Sequence, residues 1–434
     1  MPFSIPRIMA ACALLMMALA CGEAEKTRAP QSATPGAGEE GIRIFMDPIG
    51  KAGLINRTLI QEFTQSTGIP VSIIGSPGNS LDMFGKVNQI LASRNNEVDV
   101  VMVDVIWPPM LHEYLEDLAP LMQNEAAEFF PELIRHNTVQ GRLVGVPFYV
   151  DMGLLYYRAD LLEKYGYKAP PSTWDELEEM SARIQEGERA AGNAAFWGLL
   201  LSAEPTESLT CIALEWQASH GGGNIVNESG NVTLNNPLAS AAIERARGWI
   251  GRIVPKECLT YDIEEARKEF QTGNAAFFRS WCYAWEMMND SSSGIAGRVG
   301  VAAVPAGPTG PRTVLGGWQL GISRASRNKD DAWRLVRFLT SEASQRRRAL
   351  MGGFPPTRSA VYRVPELLEK QPHFPLIEQS IPNLVARPSR GSRLAYSQIS
   401  AIYMGGVHEV LSGTTGTGDA LASMQSAMET ALED

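Results

Sequence analysis

Between Val98 and Val105 the chain holds an unbroken apolar run, Val100-Val101-Met102-Val103, closed by Asp104. A strand with one wet face alternates apolar and polar residues. A strand without that alternation is covered on both faces, as in parallel sheets packed between helices. The preceding segments agree. Ile42–Met46 and Val71–Ile74 are strand-like, while Leu54–Thr67 repeats apolar residues at Ile55, Leu59, Ile60 and Phe63. Leu81–Ser93 does the same through Leu81, Phe84, Val87, Ile90 and Leu91, which is helical spacing. The order βαβαβ follows, and the fold class is α/β. Asp104 then stands at the carboxyl end of a parallel strand, the edge where ligands gather in open α/β sheets.

A second α/β region follows Gly153. Helical patterns cover Ser172–Glu186, Ser208–Ser219, Pro237–Ile250 and Ala332–Thr340, and the chain ends in a helical stretch, Ala420–Leu432. Asn274–Phe278, Val299–Val304 and Leu320–Ser323 are strand-like. Gly413–Gly418 lacks the Gly-Lys-Ser/Thr ending of a phosphate loop and any strand before it, so it is expected to be a loop ahead of a helix.

The amino-terminal 41 residues are of another kind. The apolar run Ile8–Ala20 is 13 residues long, preceded by Arg7 and closed by small residues. That is too short to cross about 30 Å of hydrocarbon as a helix and matches a secretory signal peptide, 1–20. Ala18-Leu19-Ala20-Cys21 resembles the bacterial lipobox, which makes Cys21 the expected lipidated first residue of the mature protein. Residues 21–41 lack aromatic and large aliphatic side chains and are expected to form a flexible tether. The chain is therefore expected to be exported, periplasmic or at the cell surface, and held to the membrane by its lipid.

From Cys21 onward 37 Lys and Arg face 48 Asp and Glu, a net charge of −11, which offers no basic footprint for nucleic acid. Beyond Cys12 and Cys21 only Cys211, Cys258 and Cys282 remain, permitting one disulfide at most; Cys258–Cys282 is the pairing considered. The five His residues form no metal-ligand spacing, and there is no Gly-x-Ser-x-Gly elbow and no Gly-x-Gly-x-x-Gly after a strand. No cofactor, metal or catalytic residue is expected.

Four segments, in order along nearly the whole mature chain, resemble the extracellular solute-binding proteins (family 1) of ATP-binding-cassette sugar importers, particularly the trehalose/maltose-binding branch. They are Asp99–Trp107; Val146–Tyr157 continuing to Trp174; Leu209–Trp216 with Gly221–Asn224; and Phe270–Trp285 followed by Gly316-Gly317-Trp318 and Arg387-Pro388. The resemblance implies a two-lobe, periplasmic-binding-protein-like fold with a hinge and a ligand cleft between the lobes. Lobe one is expected at 42–149 plus 319–354, and lobe two at 150–318 plus 355–434. It also implies importer permease subunits as partners, and the chain is expected to be a monomer. Arg158 stands where relatives usually have Asn, a departure expected to touch the hinge margin or the sugar fit.

A disaccharide presents hydroxyls that donate and accept, and flat faces made of C–H groups. Carboxylates accept from vicinal hydroxyls, with charge-assisted hydrogen bonds of about 1.5–3 kcal/mol. Aromatic rings cover the C–H faces. The resemblance makes Asp104 and Asp151 the carboxylate candidates, with Glu264 behind them, and Trp281 and Trp318 the stacking candidates, with Tyr149, Trp107 and Tyr283 contributing. Gly316 and Gly317 lack a Cβ and allow close approach of the backbone. Arg387 resembles a late arginine that donates to a sugar oxygen, with Arg390 as the fallback. Another oligosaccharide, a glycerol-phosphate compound, or hydrolysis by paired carboxylates are the competing readings.

The tether is directly testable. Cys21→Ala should release the protein from the membrane fraction, and fatty-acid labelling of the native chain should mark Cys21; a membrane-bound but unlabelled native protein contradicts lipidation.

Overall fold

A computed structural model describes residues 41–48, 50–75 and 80–433. The signal segment, Cys21 and nearly all of the tether lie outside the described residues. The amino-terminal plan is as expected: β1 (Ile42–Phe45) pairs in parallel with β2 (Val71–Ile74) and with β3 (Val100–Asp104). Helix Gly50–Thr67 connects the first two strands and buries Ile55, Leu59, Ile60 and Phe63. Helix Ser80–Ala92 leads into β3, every residue of which is buried.

The small hairpin β4 (Thr138–Val139) with β5 (Arg142–Leu143) precedes a 13-residue strand, β6 (Val146–Arg158). That strand, with β7 (Trp197–Leu200), β8 (Ala275–Trp281), β9 (Val299–Ala303), β10 (Thr313–Ile322) and β11 (Leu384–Val385), completes a sheet of nine strands among the described residues. The path runs β2-β1-β3-β10-β6-β8-β7. The fold is the expected two-lobe α/β architecture, and β10 and β6 lie in the middle of the sheet path, between β3 and β8.

β6 changes partners along its length. Val146 to Met152 pair with β10, whereas Gly153 to Arg158 lie between β8 and β9. β10 likewise reaches β3 through Trp318 to Ile322. The resemblance implies a lobe boundary between residues 149 and 150, and a single strand runs through that point. Its residues are apolar nearly throughout because both halves are covered, each by a different set of strands.

A buried ion pair sits where these strands meet. Arg279 on β8 grips Glu215, on helix Glu207–Ser219, with two parallel bonds: Nε to Oε2 at 2.9 Å and Nη2 to Oε1 at 2.5 Å. Both side chains are at most 4% exposed. Glu215 Oε1 also accepts from the Val314 amide at 3.0 Å, tying the pair to β10. A Cβ on Gly153 would lie 2.2 Å from Glu215 Oε1, so β6 passes the pair only with glycine there.

Two expectations are corrected and a third holds. Cys211, Cys258 and Cys282 are all free thiols, so Cys258 and Cys282 do not pair. Cys258 Sγ accepts from the Leu201 amide, while Cys282 Sγ donates to Met152 O, which places the thiols in separate neighbourhoods. Arg158 does not enter a cleft: it clasps Asp160 at 2.6 and 2.7 Å and donates to Gly273 O, at the far end of β6. The Gly-rich stretch is a loop, as expected, with Gly413 in the left-handed conformation (φ 77°) ending helix Tyr396–Ser412 before helix Thr417–Glu433.

Removing one partner of a buried pair leaves an unmatched charge, at a cost of about 3–5 kcal/mol. Glu215→Ala should therefore lower the unfolding free energy by that order in a denaturant titration. A change under about 1 kcal/mol would remove the pair from its structural role.

Candidate functional site

The central strands set the candidate residues side by side. On β10, Trp318 is in direct register with Asp104 of β3 on one side and Tyr149 of β6 on the other. Two residues earlier, Gly316 faces Asp151 of β6. Alternation along a strand puts positions i and i+2 on one face, so Gly316 and Trp318 share a face, as do Tyr149 and Asp151. Trp281, at the end of β8, completes the row: it pairs with Gly153, and its ring lies over Gly316. A Cβ at Gly316 would be 2.9 Å from Trp281 Cζ3. Residues distant in sequence thus form one surface carrying two carboxylates, two indoles and a phenol.

Gly317 shapes the strand beneath that surface. Its φ is +109°, and a Cβ there would approach Tyr149 O to 2.3 Å. A register shift follows immediately, between Trp318 and Gln319. The extra residue is Phe148 of β6, and the Gly317 carbonyl accepts from the Val105 amide at 3.3 Å.

Asp104 is 7% exposed. Its Oδ1 accepts from the Ile106 amide at 3.1 Å and from Arg387 Nη2 at 3.3 Å, and its Oδ2 accepts from Ser80 Oγ at 2.9 Å. Burial raises its pKa, with Arg387 the main opposing influence. Arg387 is buried between two carboxylates, because its Nη1 donates to Glu207 Oε1 at 2.8 Å. Asp151 Oδ1 accepts from the Cys282 amide at 2.8 Å and the Met152 amide at 2.9 Å. Burial nevertheless pushes its carboxyl up to about 6.

The aromatic candidates divide into two groups. Trp281, Trp318, Tyr149 and Tyr283 are partly exposed. Trp107 is fully buried and meets Trp318 edge-to-face, ring centroids 5.3 Å apart, with Phe84 also against it at 5.7 Å. It backs the surface rather than lining it. Tyr283 donates to Glu264 Oε1 at 2.5 Å, and Glu264 Oε2 is held by Arg267 Nε at 2.8 Å, so this carboxylate is committed to its neighbours. Arg390 does not reach Asp104; its Nη2 donates to the backbone carbonyls of Arg135, His136 and Thr138 at 3.0–3.2 Å.

Sequence reasoning missed the supports. The guanidinium of Arg279 lies 4.5 Å from the centroid of the Trp281 ring while gripping Glu215. Arg348 is buried 3.9 Å from the Phe148 ring centroid, with Tyr149 at 5.2 Å and Phe354 at 4.7 Å. Burial brings its pKa down to about 10. Glu207 was missed too, although it accepts from Arg387, Tyr396 and Ser400. Nothing local in the sequence marks these residues, because their partners lie tens to hundreds of positions away. Among the described residues no group of three or more His, Cys, Asp or Glu is placed to hold a metal ion, and no helix is long and apolar enough to cross a membrane.

Known proteins resemble this chain closely. A family model described as bacterial extracellular solute-binding protein matches residues 45–346. The probable ABC transporter-binding protein of Deinococcus radiodurans is 41% identical over 365 residues, covering 84% of this chain and 87% of that one. The maltose-bound MalE3 of T. maritima is 36% identical, with a TM-score of 0.80 over 90% of this chain and 99% of its own. An ABC transporter solute-binding protein of Thermotoga lettingae, bound with α-D-tagatose, is 25% identical with a TM-score of 0.77, covering 90% of this chain and 99% of that one.

The Asp151 environment gives a pH test. A carboxyl whose folded pKa lies above its ordinary 3.8 binds more protons when folded than when unfolded. Its contribution to stability therefore falls as pH rises through roughly 4 to 6. Relative to Asp151→Asn, the native protein should lose unfolding free energy between pH 4 and pH 7 in denaturant titrations; a constant difference contradicts the shift.

Proposed function

Because the chain belongs to the bacterial extracellular solute-binding proteins, we propose that it is the lipid-anchored substrate-binding protein of an ATP-binding-cassette importer and captures a disaccharide, trehalose- or maltose-like. One observation carries this reading: Asp104, Trp318 and Tyr149 stand abreast on three strands, with Asp151 and Trp281 beside them. Carboxylates accept from sugar hydroxyls while the rings cover C–H faces. Similarity to a maltose-bound protein at 36% identity points the same way.

Capture needs no chemistry. The sugar joins a surface built from both lobes, lobe one being 42–149 plus 319–354 and lobe two 150–318 plus 355–434. It thereby shifts the population toward the closed form, which the permease subunits recognise. Cys21 holds the exported monomer at the membrane meanwhile. A glycerol-phosphate ligand fits this surface poorly, because Arg387 already faces Asp104 and Glu207.

Trp281→Ala and Trp318→Ala should each weaken maltose or trehalose binding by about 2–4 kcal/mol in calorimetric titrations of folded protein. Asp104→Asn and Asp151→Asn should each cost about 1–3 kcal/mol. Near-native affinity in both tryptophan variants contradicts the stacking surface. Release of glucose from either disaccharide by the native protein, abolished in an aspartate variant that still binds, contradicts the importer role. Small-angle scattering should show a smaller radius of gyration with bound sugar.

A further inference from the structure

A cavity of about 290 Å³ lies on the other side of β10 from the aromatic surface. Leu315 lines it, and strand alternation points Leu315 away from the face that carries Gly316 and Trp318. One wall comes from Pro109 and helix Pro131–Asn137, and the other from the Asn224–Glu228 turn and the segment around residues 382–391. Leu315, Leu384, Val385 and Val226 make an apolar floor of the size that takes a small organic molecule.

Three arginines line this cavity: Arg135 on one wall, Arg387 and Arg390 on the other. Glu132 and Glu228 also line the cavity, Glu228 at its exposed edge. The donors are only partly used. Arg387 is 7% exposed, and while its two terminal nitrogens serve Glu207 and Asp104, its Nε has no hydrogen-bond partner. Arg390 commits Nη2 to three carbonyls of the opposite wall. His136 adds no charge at neutral pH: it bonds Val105 O, and burial, reinforced by the three arginines, takes its pKa down to about 4.

We propose that this cavity is a second binding site, for a small organic anion with an apolar body and a phosphate or carboxylate head, and that its occupancy tightens sugar binding. The apolar body covers Leu315 and Leu384, and the head takes the unused donors of Arg135, Arg387 and Arg390. A planar guanidinium fork suits an oxyanion better than any other ligand class. The sign of the coupling follows from the walls. An occupant that bridges Arg135 to Arg387 holds them in the arrangement in which Arg387 also reaches Asp104, so the anion and the sugar favour the same state. By linkage each then raises the affinity of the other by the same factor. The coupling rests on the sugar-binding reading; the anion site does not.

Phenyl phosphate, benzoate and inorganic phosphate are the probes, titrated by calorimetry into the sugar-free protein at constant ionic strength. Phenyl phosphate or benzoate should bind more tightly than inorganic phosphate, and whichever of the two is tighter identifies the head group. Arg135→Gln, on an exposed position with no ion pair, should weaken the tighter probe about ten-fold, and Glu228→Gln should strengthen it. Saturating probe should then tighten maltose or trehalose binding about five-fold or more. Failure of every probe to bind, or binding unchanged in Arg135→Gln, overturns the site. Probe binding with unaltered sugar affinity overturns the coupling. A protein that takes the probe but no sugar instead counts against the proposed function.

Discussion

The bidentate pair between Arg279 and Glu215 organises the centre of the molecule. It joins β8 to helix Glu207–Ser219, and through the Val314 amide and the Thr313 hydroxyl it fastens β10. Two charges at most 4% exposed are held by their two mutual hydrogen bonds and by the β10 donors on Glu215, while Arg279 Nη1 has no partner. Gly153 follows from the same constraint, since any side chain there would displace the carboxylate. The pair also aims one functional group, because the Arg279 guanidinium lies against the Trp281 ring and cation–π attraction holds that indole in place.

From that anchor the candidate ligand surface follows strand by strand. β6 pairs with β10 up to Met152 and with β8 and β9 beyond it, so Asp151 sits where the partners change. The register shifts just after Trp318, and Trp107 supports that indole edge-on from a fully buried position. Tyr149 rests on Phe354 and on the Arg348 guanidinium. Both candidate indoles and the phenol are therefore backed by fixed groups. Rigid backing reduces the entropy lost when a ring is immobilised against a ligand.

Arg387 connects the faces of the sheet. Its terminal nitrogens meet Asp104 and Glu207, and the residue also lines the cavity behind β10. Glu207 is in turn held by Tyr396 and Ser400 of helix Tyr396–Ser412, which links the late helical region to the candidate surface. A single side chain spanning two recesses is a short physical route for coupling them, with no long relay of contacts required.

Periodicity alone determined the amino-terminal βαβαβ unit, because apolar spacing at 3.6 residues and an unbroken strand are local properties of the chain. It also placed Asp104 at a strand end, and ordered family-like segments named Trp281, Trp318, Asp151 and Arg387 as a set. Tertiary structure decided what local pattern does not encode. It put Trp107 behind the surface instead of on it, turned Arg158 into a clasp on Asp160, and kept Cys258 and Cys282 apart. It gave Arg279, Glu215, Arg348 and Glu207 their roles, which depend on partners up to 292 positions away. β6 is legible in the sequence only as a single apolar run for the same reason: different neighbours cover its two halves, and only pairing shows where β10 gives way to β8 and β9.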